Sequence, residues 1–193
     1  MTKILHIDSS LKGEGSNTRK LSAAIVAKLG GDVTYRDLVK SDLTPVNEAL
    51  FGAYYTPAAD RSAEQKASLA QSDELLAEIF AADVIVIGAP MYNFSVSAHL
   101  KLYIDLVARV GETFAYTETG PKGLLEGKKV YFAVATGGTP IGSPADQLVP
   151  TLKTIFGFFG ITDQTVIDAS EGMAVDPEAT MAKAFATIDA LAA

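Results

Sequence analysis

The loop after the first predicted strand, residues 3–8, has the side chains needed to hold a phosphate group. Its hydroxyl groups belong to Ser9, Ser10, Ser16 and Thr18, and its glycines are Gly13 and Gly15. A helix predicted to begin near Asn17 adds free amide N–H groups and the positive end of its dipole. No Gly-Lys-Ser/Thr sequence closes the loop, which excludes a Walker P-loop and leaves a monophosphate, as on flavin mononucleotide (FMN), as the ligand that fits. An ordinary helix N-cap by Ser16 or Asn17 is the competing interpretation.

A second candidate segment, Met-Tyr-Asn-Phe at residues 91–94, follows a strand predicted over residues 84–87. Four consecutive β-branched residues predict that this strand is buried on both faces, and the following Gly-Ala-Pro ends it. Met91 and Phe94 could form an apolar slot for a flavin ring, and Asn93 with its backbone could donate to the polar edge of the ring. The alternative is a turn whose aromatic side chains only cover the end of the sheet.

A third segment, Ala-Thr-Gly-Gly at residues 135–138, ends the strand predicted over residues 129–135. Its glycines would let backbone amides approach a planar ring closely. Taken alone, this segment reads as a flexible turn. Three such loops at the ends of neighbouring strands would instead enclose one site.

The elements that must position these loops are five strands that alternate with helices. The predicted strands are residues 3–8, 33–38, 84–87, 129–135 and 163–169, and the helices are about 19–29, 63–81, 97–109, 145–158 and 177–192. Near-continuous apolar strands predict an α/β fold with a parallel sheet covered on both faces. Right-handed crossovers then favour a doubly wound, flavodoxin-like sheet of order 2-1-3-4-5, in which the three loops meet at the switch point. The Gly-x-Gly-x-x-Gly turn of a Rossmann dinucleotide fold is missing.

Composition narrows the possible functions. The 193 residues are expected to form a single domain, 1–193, and the net charge of −7 argues against non-specific nucleic-acid binding. The absence of cysteine excludes thiolate catalysis and Cys-ligated metals, and it fits a reducing compartment. The start of the chain lacks the long apolar core of a signal peptide, and no stretch approaches the roughly 18 apolar residues of a membrane span. We therefore expect a cytoplasmic protein that does not associate with membranes. The acidic residues show no metal-ligand spacing, so no metal is expected.

The chain resembles the FMN-dependent NADH azoreductases and quinone oxidoreductases of the flavodoxin-like class, and the resemblance covers its whole length. The residues that carry it are Ser10, Ser16-Asn17-Thr18, Pro90-Met91-Tyr92-Asn93-Phe94, Leu100-Lys101, Ile104-Asp105, Phe114, Tyr116-Thr117-Glu118, Gly120-Pro121, Phe158 and Gly160-Ile161-Thr162-Asp163. The segment at 90–94 with its following helix is the specific part.

The resemblance implies an enzyme with bound FMN that takes hydride from NADH or NADPH and reduces quinones and azo compounds by two-electron, ping-pong transfer. The implied FMN-binding residues are Ser10, Ser16, Asn17, Thr18, Met91, Tyr92, Asn93, Phe94, Ala135, Thr136, Gly137 and Gly138. No side chain is expected to be catalytic, because the flavin carries the chemistry. The resemblance also implies a homodimer with shared active sites, and it places Tyr116 and Phe158 at the substrate cavity. From sequence alone both would be core aromatics.

Two departures from the family pattern stand out. The loop at 135–138 often reads Ser-Arg-Gly-Gly in the family, so Thr136 replaces a cation near the substrate. The loop after the first strand, which we name the phosphate loop, carries Lys12 and Glu14, whose effects the sequence does not specify. A flavodoxin-type electron carrier without its own NAD(P)H oxidation is the alternative function, and a flavin-free regulatory relative is a third. His6 is expected to be a core histidine.

Overall fold

The computed structural model describes residues 1–192 and contains a central sheet of five parallel strands. The strands of the chain are β1 (Lys3–Asp8), β2 (Asp32–Asp37), β3 (Val84–Pro90), β4 (Phe114–Thr117), β5 (Gly120–Gly123), β6 (Lys129–Ala135) and β7 (Asp163–Ala169). The central sheet has the order β2-β1-β3-β6-β7, and every neighbouring pair in it is parallel. This is the predicted order 2-1-3-4-5, because β4 and β5 form a separate two-stranded sheet.

Helices cover both faces of the sheet. They are α1 (Asn17–Leu29), α2 (Glu48–Tyr55), α3 (Ala63–Ala81), α4 (Ala98–Val107), α5 (Leu148–Phe158) and α6 (Pro177–Asp189). The side chains of β3 point alternately to the two faces of the sheet. Ile85 and Ile87 belong to the apolar cluster that includes residues of α3, α4 and α5, whereas Val86 belongs to the cluster with residues of α1 and α6. The β-branched run is therefore buried on both faces, as predicted.

Two stretches between the predicted strands and helices contain further secondary structure. Residues 40–62 include α2 and a short 3-10 turn, Ala58–Asp60, and residues 111–127 include the β4–β5 hairpin. The hairpin packs through glycine: a Cβ atom on Gly123 would lie 2.1 Å from the amide nitrogen of Gly160. Only a glycine at residue 123 allows this approach of the two backbones.

Helix α5 begins three residues later than predicted. Asp146 accepts hydrogen bonds from the amides of Leu148 and Val149 at 3.0 and 3.1 Å, so its carboxylate occupies the first turn of the helix. Within residues 1–192, no helix combines the length and the apolar character needed to cross a membrane.

Candidate functional site

The loops that follow β1, β3, β6 and β7 enclose a cavity of about 340 Å³ at the carboxyl edge of the sheet. It is lined by Ser10, Lys12, Gly15, Ser16, Asn17, Thr18, Pro90, Met91, Tyr92, Ala135, Thr136, Gly137 and Met173. Three segments predicted from the sequence thus meet in one place, as expected at the switch point of an open α/β sheet. Among the predicted cofactor residues, Asn93, Phe94 and Gly138 do not line this cavity.

One end of the cavity is built on the first turn of α1. The Ser16 hydroxyl caps this helix by accepting from the Arg19 amide at 3.3 Å, and it lies 3.1 Å from the hydroxyl of Thr18. Ser16 is therefore an N-cap, as the competing interpretation had it, and it also lines the cavity. Because the first amides of a helix have no partner within the helix, this end of the cavity offers N–H donors and positive potential to an anion. It suits a phosphate.

Tyr92 connects the phosphate loop to the segment after β3. Its hydroxyl accepts a hydrogen bond from the Leu11 amide at 3.1 Å and lies 3.3 Å from the Ser10 hydroxyl. The two walls of the cavity are therefore joined by one side chain.

Residues 92–95 form a tight turn with unusual backbone conformations. Tyr92 and Ser95 exchange two backbone hydrogen bonds of 3.1 Å, and between them Asn93 and Phe94 have φ angles of 49° and 68°. A left-handed conformation at a bulky residue such as Phe94 is strained, and it persists only where the surroundings hold it. The Gln147 amide, just before α5, provides such a hold by donating to the Phe94 carbonyl at 3.0 Å. Both side chains of the turn point outward, and Phe94 is 57% exposed.

The loop after β6 is closed by the hydroxyl of Thr136. This hydroxyl donates to the Thr139 carbonyl at 2.7 Å and accepts from the Gly138 amide at 3.2 Å. The Gly138 amide is thus occupied, so Gly137 is the glycine at the cavity. Gly138 has a structural reason to be glycine, since its φ is 115° and a Cβ atom there would lie 2.9 Å from that of Ala174.

Two cavity residues were not assigned a role from the sequence. Met173 follows β7, and its sulfur accepts from the side-chain amide of Asn17 at 3.4 Å. The only hint in the sequence was that Met173 is an apolar residue in a polar loop at the carboxyl edge of the sheet. That hint did not place it near Asn17, because β7 is not adjacent to β1. Lys12 brings a cation to the cavity within the phosphate loop, where the sequence showed the charge but not its direction.

A network of polar and charged side chains connects β1, α1 and β2. Asp8 accepts from Ser22 at 2.8 Å and from Tyr35 at 3.0 Å, and His6 lies 2.9 Å from the Ser22 hydroxyl. Burial raises the pKa of Asp8, but hydrogen bonding and charge from His6, with further hydrogen bonds from Ser22 and Tyr35, outweigh it, so the pKa is lowered. His6, Ser22 and Asp8 resemble a hydrolase triad only by residue type, because Ser22 is fully buried and its hydroxyl donates to the carboxylate. His6 is a buried, hydrogen-bonded histidine, as expected.

The predicted substrate residues form an aromatic cluster away from the cavity. The ring of Phe114 lies 5.7 Å from that of Tyr116 and 4.5 Å from that of Phe158. Phe158 is the last residue of α5, about 15 Å along the helix from the end that touches the turn at 92–95. Tyr116 is 68% exposed. Within one chain, neither residue lines the cavity.

The cavity nevertheless has the two chemistries that a flavin nucleotide needs. Hydroxyl groups and helix amides occupy the end at Ser16, while Met91, Pro90 and Met173 provide apolar surface for a planar ring. Its volume is at the small end of the range for ligand sites, and it is open to one side. We conclude that the described residues fit FMN.

Comparisons with known proteins agree with this geometry. The family model described as the flavodoxin-like fold matches residues 2–192. A curated relative from Jannaschia sp. (strain CCS1), named FMN-dependent NADH:quinone oxidoreductase 1, is 51% identical over the full length of both chains. A relative from Burkholderia pseudomallei (strain 1710b), named FMN-dependent NADH:quinone oxidoreductase, is 47% identical, again over the full length of both.

Solved structures show the same fold. A crystal structure of an azoreductase from Bacillus anthracis str. Sterne superposes with a TM-score of 0.87 at 28% identity, covering 99% of this chain and all of that one. An FMN-dependent NADH-azoreductase from Bacillus anthracis str. Ames Ancestor, solved in complex with FMN, has a TM-score of 0.84 at 23% identity, with 98% and 96% coverage. At that identity, the second comparison supports the fold alone.

Proposed function

The chain belongs to the family of proteins with the flavodoxin-like fold, and from this premise we propose that it is an FMN-dependent NADH:quinone oxidoreductase that also reduces azo compounds. Relatives of about half identity over the whole chain carry the first name, and an azoreductase shares the structure. The proposal rests on one observation: the cavity at the carboxyl edge of the sheet has one end suited to a phosphate and another lined by apolar side chains. We also propose that the whole chain, 1–193, is one FMN-binding domain.

Each group of residues at the cavity would have its own role in binding FMN. Ser10, Ser16 and Thr18, with the first amides of α1, would hold the phosphate, and Lys12 adds a charge there. Met91 and the loop at 135–137 would flank the ring, which supplies the hydride-accepting and hydride-donating centre. No side chain is assigned a nucleophilic role, because the flavin would carry the chemistry, and the chain contains no cysteine.

Backbone amides are the groups that would stabilise negative charge at the polar edge of the ring. Within residues 1–192, the amides of Asn93 and Gly137 have no hydrogen-bond partner, while that of Gly138 is bonded to Thr136. Fixed N–H dipoles of this kind stabilise developing charge without reorganisation. We therefore assign this role to the amide of Gly137, which lines the cavity, and to that of Asn93, which follows the cavity residue Tyr92, rather than to the bonded amide of Gly138.

A homodimer with shared active sites is part of the proposal. Tyr116 and Phe94 are large aromatic residues that are more than half exposed, as are Phe51 and Tyr55 on α2. The aromatic cluster of Phe114, Tyr116 and Phe158 lies off the cavity of its own chain, so in a dimer it could cover the cavity of the other subunit. Exposed aromatic groups of this size are typical of interfaces.

The proposed acceptors are small quinones and azo compounds, and the proposed location is the cytoplasm. NADH as donor and a cysteine-free chain fit a reducing compartment. With 23 acidic against 16 basic residues, nucleic acid is not proposed as a partner.

A steady-state assay of the purified protein tests the function. With FMN present, NADH oxidation should require a quinone, and removal of FMN should abolish it. Asn93→Ala should slow turnover or weaken FMN binding, because alanine adopts the left-handed φ of 49° less readily than asparagine and would displace the amide. Ser68→Ala on the exposed face of α3 is the matched control. Inertness toward both NADH and NADPH in FMN-loaded protein would instead indicate an electron carrier. A protein that fails to take up FMN would refute both functions.

Sedimentation combined with the same assay tests the shared site. The active species should be a dimer, and Tyr116→Ala should raise the KM for the quinone while leaving FMN affinity unchanged. A monomer with full activity would contradict the dimer proposal.

A further inference from the structure

The guanidinium of Arg19 holds the phosphate loop from behind. Its Nη2 donates to the Ser10 carbonyl at 2.9 Å, and its Nε donates to the Lys12 carbonyl at 3.0 Å. One rigid, planar group therefore fixes two alternate peptide units of the loop.

Arg19 is itself fixed by the ends of the two neighbouring strands. Its Nη1 and Nη2 form a bidentate pair with the Asp37 carboxylate, with both distances 2.9 Å, and Nη1 also donates to Tyr35 at 3.0 Å. Asp8 lies 3.5 Å from the same nitrogen. The side chains of Arg19 and Asp37 are only 17% and 7% exposed, so the pair is largely shielded from water. Bidentate, shielded pairs of this kind hold geometry well.

The direction of these bonds determines where the loop amides point. In a trans peptide the C=O and N–H groups point in opposite directions, so a carbonyl held from behind turns the next amide toward the front. The Leu11 amide follows the held Ser10 carbonyl, and it donates to Tyr92 at the cavity wall. The Lys12 amide in turn donates to the Ser10 hydroxyl at 3.2 Å, and Ser10 and Lys12 both line the cavity.

Arg19 does not line the cavity, so it is not placed to touch the phosphate. It lines a separate surface depression on the other side of the loop, together with Tyr35 and Asp37. Its effect on the cavity must therefore pass through the backbone it holds.

We propose that Arg19 is a positioning residue for phosphate recognition: by holding the carbonyls of Ser10 and Lys12, it presets the phosphate loop to bind the phosphate of FMN. This inference rests on the proposed function. It implies that the gain in affinity for FMN over riboflavin, which lacks the phosphate, depends on Arg19.

The test compares Arg19→Gln with Arg36→Gln. Arg36 is a matched control, because it lies on β2, its side chain is 19% exposed, and it pairs with Glu74 and Glu78 far from the loop. FMN and riboflavin affinities are measured by flavin fluorescence. Arg19→Gln should lower the affinity for FMN about tenfold and leave that for riboflavin unchanged, since it removes charge-assisted hydrogen bonds that order the loop. Arg36→Gln should preserve the ratio of the two affinities.

Hydrogen exchange of the flavin-free proteins provides a second readout that does not need FMN. The amides of Leu11 and Lys12, which donate to the hydroxyls of Tyr92 and Ser10, should exchange faster in Arg19→Gln than in the unchanged protein or in Arg36→Gln. If Arg19→Gln does not fold, Arg19→Lys takes its place in both measurements, because one ammonium can keep the Asp37 pair but cannot reach both carbonyls.

The outcomes separate this inference from the proposed function. Unchanged exchange, or equal losses for FMN and riboflavin, would overturn the role of Arg19 while leaving FMN binding intact. Failure of the unchanged protein to bind FMN would overturn the proposed function and, with it, the role in phosphate recognition.

Discussion

The two walls of the cavity are held in shape by different means. The phosphate loop, residues 9–16, is held by side chains from other elements: Arg19 bonds two of its carbonyls and Tyr92 one of its amides. The turn at 92–95 is held by its own backbone, with two left-handed residues between paired ends and one amide from residue 147. The loop should therefore be sensitive to the loss of particular side chains, and the turn to changes in backbone preference.

The loss of Arg19 is the largest effect that this contrast predicts. Arg19→Gln should lower the free energy of unfolding by about 3 kcal/mol near neutral pH, because among the described residues it leaves the shielded carboxylate of Asp37 with only the exposed Lys40, at 3.8 Å, as a cationic partner. Urea denaturation measures this loss. Arg36→Gln should cost less, because its partners Glu74 and Glu78 are 63% and 16% exposed, compared with 7% for Asp37. Equal losses in the two variants would show that the Arg19–Asp37 pair contributes no more to stability than the pairs of Arg36.

The same loss should depend on pH. Burial raises the pKa of Asp37, but the hydrogen bond and charge of Arg19 outweigh it and hold the pKa below its ordinary value of 3.8. A carboxylate with a lowered pKa in the folded state stabilises the protein above pH 3.8 and loses this contribution as the pH falls through the folded pKa. The stability difference between the unchanged protein and Arg19→Gln should therefore be constant at neutral pH and shrink below pH 3.8. A difference independent of pH would contradict the ion pair as its source.

Substitutions of Phe94 test the backbone of the turn. Phe94→Gly should be about 1 kcal/mol more stable than Phe94→Ala, because glycine adopts a φ of 68° without the cost that a Cβ atom brings. Thermal or urea unfolding of the two variants measures the difference. As a control, the same pair of substitutions at Phe51, an exposed residue within α2, should give the opposite order, since alanine favours a helix. If alanine were the better residue at position 94 as well, the turn would not be strained.

The smallest effect is expected from Tyr92→Phe. This change removes only the hydroxyl that joins the two walls, and because Tyr92 is partly exposed, water can replace it. We expect a loss of about 0.5 kcal/mol in stability and about a twofold loss in FMN affinity. Fluorescence titration measures the affinity, with Tyr103→Phe as a control, because within residues 1–192 the Tyr103 hydroxyl has no hydrogen-bond partner and Tyr103 does not line the cavity. A loss as large as that of Arg19→Gln would show that the walls depend on Tyr92 instead.

Most of the fold could be predicted because its signals are local. The β-branched run at 84–87 indicates a strand buried on both faces wherever it occurs, and alternation with helices then restricts the order of the sheet. The β4–β5 hairpin could not be predicted, since Gly-Pro-Lys-Gly has no strand pattern. Its shape depends on β4 and on the contact of Gly123 with Gly160, which are distant in sequence.

The site was predictable to the level of its loops but not of its atoms. The ends of β1, β3 and β6 had to meet at one edge, so residues such as Ser16, Met91 and Gly137 could be placed together. The direction of each group could not be predicted. Nothing in the sequence shows that the Thr136 hydroxyl accepts a hydrogen bond from the Gly138 amide. Nor does it show that Asn93 and Phe94, neither of which is glycine, adopt left-handed conformations.

Anaerobic titration of the FMN-loaded protein with NADH is the most direct test of the proposed function. The visible absorbance of the flavin should be lost in proportion to the NADH added, one equivalent per bound FMN, and should return on addition of a quinone. Absorbance that persists through an excess of both NADH and NADPH would contradict the assignment of this cavity as the active site of an NADH:quinone oxidoreductase.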